Sequence, residues 1–249
     1  MAVGNFEPCN KITRKWEGGD VNHPDDPGGL TSRGVTAARG AEFRKAKGLA
    51  PKTVTKWTDA EVTAFYISEF WNVMGCDRLA YGVDLSTYDA GVNSGPSRAR
   101  KWLLAAIGSD DMTTIKRMCA KRLGFVQGLR TWKTFGKGWA RRIAGIEASA
   151  VSMWLAGYKV KAPEKVLHAE AEKADRAVED HKTAGKAATG GSVAVGAGDA
   201  AVQGAVNWWL VGGVGLALAA VLALVAVKIM QNRERASAYS AAAFNVAAR

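Results

Sequence analysis

Apolar residues recur at three- and four-residue intervals along most of this chain, a pattern that predicts a mainly all-α protein. Phe6, Ile12 and Trp16 mark a first short helix, and Val35 to Gly48 reads as a second, with Arg44, Lys45 and Lys47 near its end, where the helix dipole favours cations. Thr58-Asp59-Ala60-Glu61 is a capping-box pattern that Val62, Phe65, Tyr66, Glu69 and Phe70 continue at helical spacing. Leu85 to Val92 is apolar on one side and stops at Asn93-Ser94-Gly95-Pro96, where glycine closes one helix and proline opens the next. A helical array follows. Its stripes are Ala99, Trp102, Leu103, Ala106 and Ile107; then Ile115, Met118, Cys119, Arg122 through its stem and Val126; then Trp139, Ile143, Ile146, Ala150 and Met153.

Beyond residue 160 the pattern changes. Ala162 to Ala184 alternates Lys, Glu, Asp, Arg and Ala with almost no apolar stripe, which predicts a solvated helix with pairs such as Glu172 and Arg176. Gly185 to Asp199 is rich in Gly and Ala and reads as a flexible tether. Ala200 to Val227 then carries no charge at all, and Leu210 to Val227 is wholly apolar or glycine, matching a bilayer core of about 30 Å. Trp208 and Trp209 stand where an interfacial aromatic belt would, so residues 203–227 are expected to cross a lipid bilayer. Gly213 with Ala217, and Gly215 with Ala219, have the small-xxx-small spacing of transmembrane helix pairing. Lys228, Arg233 and Arg235 follow the apolar run, so the positive-inside rule puts the tail in the cytoplasm and the rest outside, in a single-pass inner-membrane protein; the competing picture holds that part inside until the membrane is breached. Met1 to Pro8 lacks the basic start and apolar run of an export signal.

Between the first two helices lies the stretch that carries chemistry. Glu17-Gly18-Gly19 is followed by Asp25-Asp26-Pro27-Gly28-Gly29 and Thr31, so glycines and prolines turn the chain back and return aspartates and a threonine toward one glutamate. Gly18, Gly19, Gly28 and Gly29 leave room for a bulky substrate against the main chain. A small polar cleft of this kind suits acid-assisted cleavage of a glycosidic bond, with Glu17 as general acid and Asp26, with Thr31, on the water-positioning side. Trp16 is expected to shield the acid from water. The bland alternative is a surface turn with solvated carboxylates. His23 falls in the same loop, as a substrate contact or a solvated residue. Tyr88 and Asn93 are candidates to face a sugar channel, with packing as the default. Trp102, Trp132, Trp139 and Trp154 are open to stacking on sugars, although tryptophans at helical spacing are more often core.

Glu17-Gly18-Gly19, Asp25-Asp26-Pro27-Gly28-Gly29, Thr31 and Gly34-Val35-Thr36 resemble the signature of glycoside hydrolase family 108, the phage and bacterial N-acetylmuramidases. The likeness continues through Trp71-Asn72, Cys76-Asp77-Arg78-Leu79 and Asp89-Ala90-Gly91-Val92-Asn93-Ser94-Gly95-Pro96. A second stretch resembles the peptidoglycan-binding domain usually found with that family. It runs through Ala99-Arg100-Lys101-Trp102-Leu103, Arg122-Leu123, Gly128-Leu129-Arg130-Thr131-Trp132 and Phe135-Gly136-Lys137-Gly138-Trp139. The resemblance implies a lysozyme-like helical scaffold, without metal or cofactor, that hydrolyses the MurNAc-β-1,4-GlcNAc bond of peptidoglycan, with Glu17 carried over most firmly. The order Glu17, Asp26, Thr31 is also similar to the triad of T4-type phage lysozymes. The last gap is one residue shorter here, and Asp25 stands as the alternative to Asp26.

Charge sharpens the division of the chain. The formal net charge is +11, yet residues 1–91 hold eleven Lys and Arg against twelve Asp and Glu, whereas residues 92–159 hold thirteen against three. Such a field attracts a polyanion, and a cell wall with muramyl and peptide carboxylates qualifies. No zinc-finger, helix-turn-helix or RNA-binding signature accompanies the basic stretch, so no nucleic acid is expected. Cys9, Cys76 and Cys119, with three scattered histidines, have no disulfide-framework or zinc-ligand spacing. The expected plan is a catalytic domain at 7–93, a peptidoglycan-binding helical module at 94–160, a charged helix and tether at 161–199, the transmembrane helix, and a short basic tail at 228–249. The expected role is that of a phage or prophage endolysin that lyses the host. A non-catalytic wall anchor and a lytic transglycosylase are the alternatives.

Overall fold

A computed structural model describes residues 3–17, 30–198 and 208–248. The chain divides into two compact units, one formed by residues 1–128 and 149–160, the other by 129–148 and 161–249.

In the first unit helix α1 (Phe6–Arg14) is followed by a two-strand hairpin, β1 (Thr31–Ser32) and β2 (Val35–Thr36), with Thr31 opposite Thr36 and Ser32 opposite Val35. Thr36 then caps α2 (Ala37–Ala46), accepting a hydrogen bond from the Arg39 N–H. The helix expected from Val35 therefore starts two residues later. The β-branched pair Val35 and Thr36 is used for the hairpin, and the threonine serves both elements. α3 (Asp59–Tyr66) opens on the expected capping box: Thr58 accepts from the Glu61 N–H, and Glu61 accepts from the Thr58 N–H. Glu61 also accepts from Lys52 and from Arg44, both at 2.7 Å. The Lys52 hydrogen bond first, then the Thr58 N–H and Arg44, hold its carboxyl well below the usual range, at about 2. A π-helical turn (Ile67–Trp71) carries α3 into α4 (Asn72–Met74).

The centre of this unit is α5 (Val83–Ser94), in which every residue from Val83 to Gly91 is buried. A helix covered on all sides needs its polar groups answered internally. Asp84 accepts from the N–H groups of Gly82 and Leu85 and from the Asn5 amide. Asp89, completely buried, pairs with the Arg122 guanidinium. The helix ends as expected at Gly95, whose positive φ of 86° suits glycine, and Pro96 begins α6 (Pro96–Ala106). α6 and α7 (Asp111–Gln127) both pack on α5. The stripe of Ile115, Met118, Cys119, Arg122 and Val126 is buried throughout, whereas Ile107, at the end of the α6 stripe, is 63% exposed.

α8 (Trp132–Gly157) runs through the division, its residues 132–148 belonging to the second unit and 149–157 to the first. In the second unit α9 (Pro163–Gly198) and α10 (Trp208–Ala247) pack along one another. A helix of 36 residues is about 54 Å long, and the connection 199–207 reaches at most about 35 Å, so the two are antiparallel. Leu167, Ala171, Ala174 and Val178 form a buried stripe on α9, and Ala236, Tyr239 and Ala243 are buried on α10. The alanine-rich α9 thus has an apolar seam built from small residues, which sequence reading takes for a solvated face, and the helix continues from Gly185 through Gly198 where a tether was expected. Leu216–Ala247 is long and apolar enough to cross a membrane, with a mean hydropathy of 1.5, and almost none of its apolar part is buried.

Candidate active site

α1 positions the glutamate. Its inner face is locked to the central helix: Phe6 meets Tyr88 and Trp71 edge to face, at 5.7 and 5.4 Å between ring centroids, and the Tyr88 hydroxyl donates to Asn10 Oδ1 at 3.0 Å. Past Arg14 the chain makes one further turn. Trp16 N donates to the Thr13 carbonyl and Glu17 N to the Arg14 carbonyl, leaving Trp16 and Glu17 half-buried just beyond the helix end.

The hairpin supplies what faces Glu17. Its turn residues Arg33 and Gly34 both have positive φ, 49° and 78°, the two-residue geometry whose twist matches paired strands. A non-glycine in that conformation must be held there, and Arg33 is. Its guanidinium donates to Asp59 Oδ1 at 2.9 Å and to the Trp57 carbonyl at 2.6 Å, while its own carbonyl accepts from the Tyr66 hydroxyl at 3.0 Å. Gly34 then lies against the acid. A Cβ at this position would sit 2.3 Å from the Tyr66 hydroxyl oxygen and 3.7 Å from Glu17 Oε2. The carboxylate therefore rests beside bare backbone at the hairpin turn, with a buried tyrosine hydroxyl behind it. We expect Gly34→Ala to lower catalytic turnover by about 100-fold, because the new methyl displaces Tyr66 and shifts the turn that Glu17 faces. Unchanged wall-clearing rates with an intact circular dichroism spectrum would refute that placement.

Thr31 lies in the strand leading into this turn, half-buried and paired with Thr36. Gly18, Gly19, His23, Asp25, Asp26, Gly28 and Gly29 lie outside the described residues. Tyr88 is 0% exposed and its hydroxyl is taken by Asn10, so its position is a packing one. Asn93 is exposed at the end of α5, where its Oδ1 accepts from Arg122 at 3.0 Å. Trp102 is half-buried against Phe125, and Trp132, Phe135 and Trp139 cluster on the first turns of α8. A cavity of about 910 Å³ lies apart from Glu17, lined by α2 and residues 49–56, Arg44, Lys45, Lys52 and Lys56 among them.

Sequence reading misses Arg33 and Tyr66, the two residues that fix the turn. One signal was present: a two-residue step ending in glycine, flanked by Thr31, Val35 and Thr36, is a hairpin pattern with arginine in the place usually taken by asparagine. Tyr66 gave none, being one aromatic among several at helical spacing.

Residues 10–95 match the family model described as Glycosyl hydrolase 108. Among solved structures the chain is similar to Brucella abortus SagA, with 31% sequence identity and a TM-score of 0.52, over 61% of this chain and 96% of that one. A search of curated proteins finds no match. The matched segment contains Glu17, the hairpin and the whole of α5, and the chain therefore belongs to the glycosyl hydrolase 108 family and is a glycoside hydrolase acting on peptidoglycan.

Proposed function

We propose that this protein is an N-acetylmuramidase that cleaves MurNAc-β-1,4-GlcNAc bonds, with Glu17 as general acid. The observation that carries the reading is the position of Glu17 Oε2 against the bare backbone of the Arg33–Gly34 turn, which brings the carboxyl group beside the Tyr66 hydroxyl. Glu17 gives its proton to the glycosidic oxygen as the bond to the anomeric carbon breaks, and the ring acquires oxocarbenium character. Asp26, with Thr31, orients the water that adds to that carbon and accepts its proton. Gly18, Gly19, Gly28, Gly29, Asp25 and Asn93 border the path of the glycan strand.

The remaining parts serve delivery. Residues 94–160, with their large excess of Lys and Arg, grip the anionic wall. The apolar run of 203–227 holds the enzyme at the bacterial inner membrane, which raises its concentration near peptidoglycan as any tether does. Wall cleavage from that position suits an endolysin that breaks the host open. Purified peptidoglycan incubated with the full chain should lose turbidity and release soluble muropeptides. Binding to the wall without release would favour a non-catalytic anchor instead.

A further inference from the structure

The second unit bears on which side of the membrane the tail occupies. Read as a single crossing, residues 228–249 lie across the bilayer from α8 and α9. The packing is of another kind. After its apolar first half, α10 continues without a break, and Arg235 Nε and Nη2 both donate to Glu147 Oε1 on α8, at 3.1 and 2.7 Å. Tyr239, itself 0% exposed, donates to the same oxygen at 2.9 Å, and Arg141 Nε donates to Glu234 Oε2 at 3.2 Å. Glu147 is 4% exposed. A carboxylate buried to that degree needs its cation, so the tail is latched to α8 rather than merely resting near it.

The register along α9 agrees. Val225 lies against Gly185, 3.3 Å from where a Cβ would stand. Counting outward from that contact in an antiparallel pair brings Leu167, Ala171 and Ala174 level with Ala243, Tyr239 and Ala236, the buried residues of the two helices. The other direction brings residues 187–198 of α9 level with the apolar start of α10. Those twelve residues carry no charge, and the hydroxyl of Thr189 is already satisfied by the carbonyls of Gly185 and Lys186. On the partner helix Leu216, Val221 and Leu224 are 76, 44 and 65% exposed. One end of this helical pair is thus apolar and uncovered, while the other is charged and latched. Between them Lys182, Lys186, Lys228 and Arg233 stand with Glu179, which accepts from Lys182 at 2.6 Å, and Asp180 in a charged belt with a cationic excess suited to anionic headgroups, with Lys186 long enough to reach back to the interface.

We propose that the last part of α9 and the first half of α10 enter the bilayer together as a helical hairpin, so that the C-terminal tail and the wall-cleaving unit lie on the same face of the membrane. The partner of the apolar helix is then α9 of the same chain. This inference rests on the membrane reading above and changes it from a single crossing to a hairpin that enters and leaves by the same face.

Cys9, Cys76 and Cys119 are all buried, so single cysteines introduced at exposed positions can be labelled selectively in the full chain. Lys165→Cys marks the start of α9 and Asn245→Cys the end of α10. The two variants are labelled with a membrane-impermeant maleimide in right-side-out spheroplasts and in inverted vesicles. The hairpin predicts that both label in one preparation and that both lose labelling in the other. Labelling from opposite faces would overturn it and restore a single crossing. Release of the chain from membranes by alkaline carbonate would instead remove the membrane reading, and the hairpin with it.

Discussion

Glu17→Gln should lower the rate of peptidoglycan solubilisation by about 10²- to 10⁴-fold, the usual contribution of a positioned general acid. The substitution preserves volume and shape, and the carboxamide still lies along the backbone of Gly34, but it has no proton acidic enough for the glycosidic oxygen. Glu17 stands just beyond the end of α1, half-buried, and its backbone N–H to the Arg14 carbonyl does not involve the side chain. Because glutamine keeps the volume and reach of the side chain, the melting temperature should stay close to that of the parent chain. Turbidity clearing on purified walls together with a thermal melt tests both halves of the expectation. A variant that clears walls at the parental rate would remove Glu17 from the chemistry.

Arg122→Met should destabilise the protein by about 3–5 kcal/mol, the usual cost of leaving a buried charge without its partner. Arg122 and Asp89 have side-chain exposures of 2 and 0%, and Arg122 also donates to Asn93 Oδ1 at 3.0 Å. Methionine fills much of the volume and supplies none of the charge, so Asp89 must either stay ionised in an apolar site or take up a proton. Adding Asp89→Leu should recover most of the loss, because a matched apolar pair removes the orphaned carboxylate. Urea denaturation of the two single variants and the double variant measures the coupling directly. Additive losses would mean that the two side chains act independently.

These variants also mark how far the chain could be read before its structure. Where an element rests on periodicity or on a local cap, the reading transfers: the Thr58–Glu61 capping box, the Gly95–Pro96 break and the α7 stripe all stand where the residues place them. Periodicity does not show the hairpin at 31–36, since strands of two residues are too short for any alternation and only the Arg33–Gly34 turn step marks it. Gly185 to Gly198 misled for a different reason. Glycine and alanine read as a tether when propensity alone decides, yet close packing against a second helix favours small side chains, as Gly185 against Val225 illustrates. At the site, Glu17 stands out in the sequence because a glycine- and proline-rich run returns aspartates and a threonine toward it, and Thr31 is drawn in by its spacing from Glu17. Tyr66 was not, because its hydroxyl reaches the Arg33 carbonyl from a helix 33 residues away in sequence, a contact that no local pattern records.

Hydrolysis of a glycan strand by one protonated carboxyl group is reported most directly by its products. Mass spectrometry of muropeptides released from purified peptidoglycan by the full chain should show N-acetylmuramic acid at the new reducing ends, each carrying the added water, with none released by Glu17→Gln on the same timescale. Ends lighter by one water, the anhydro form left when the sugar closes on itself, or N-acetylglucosamine at the new reducing ends, would contradict it.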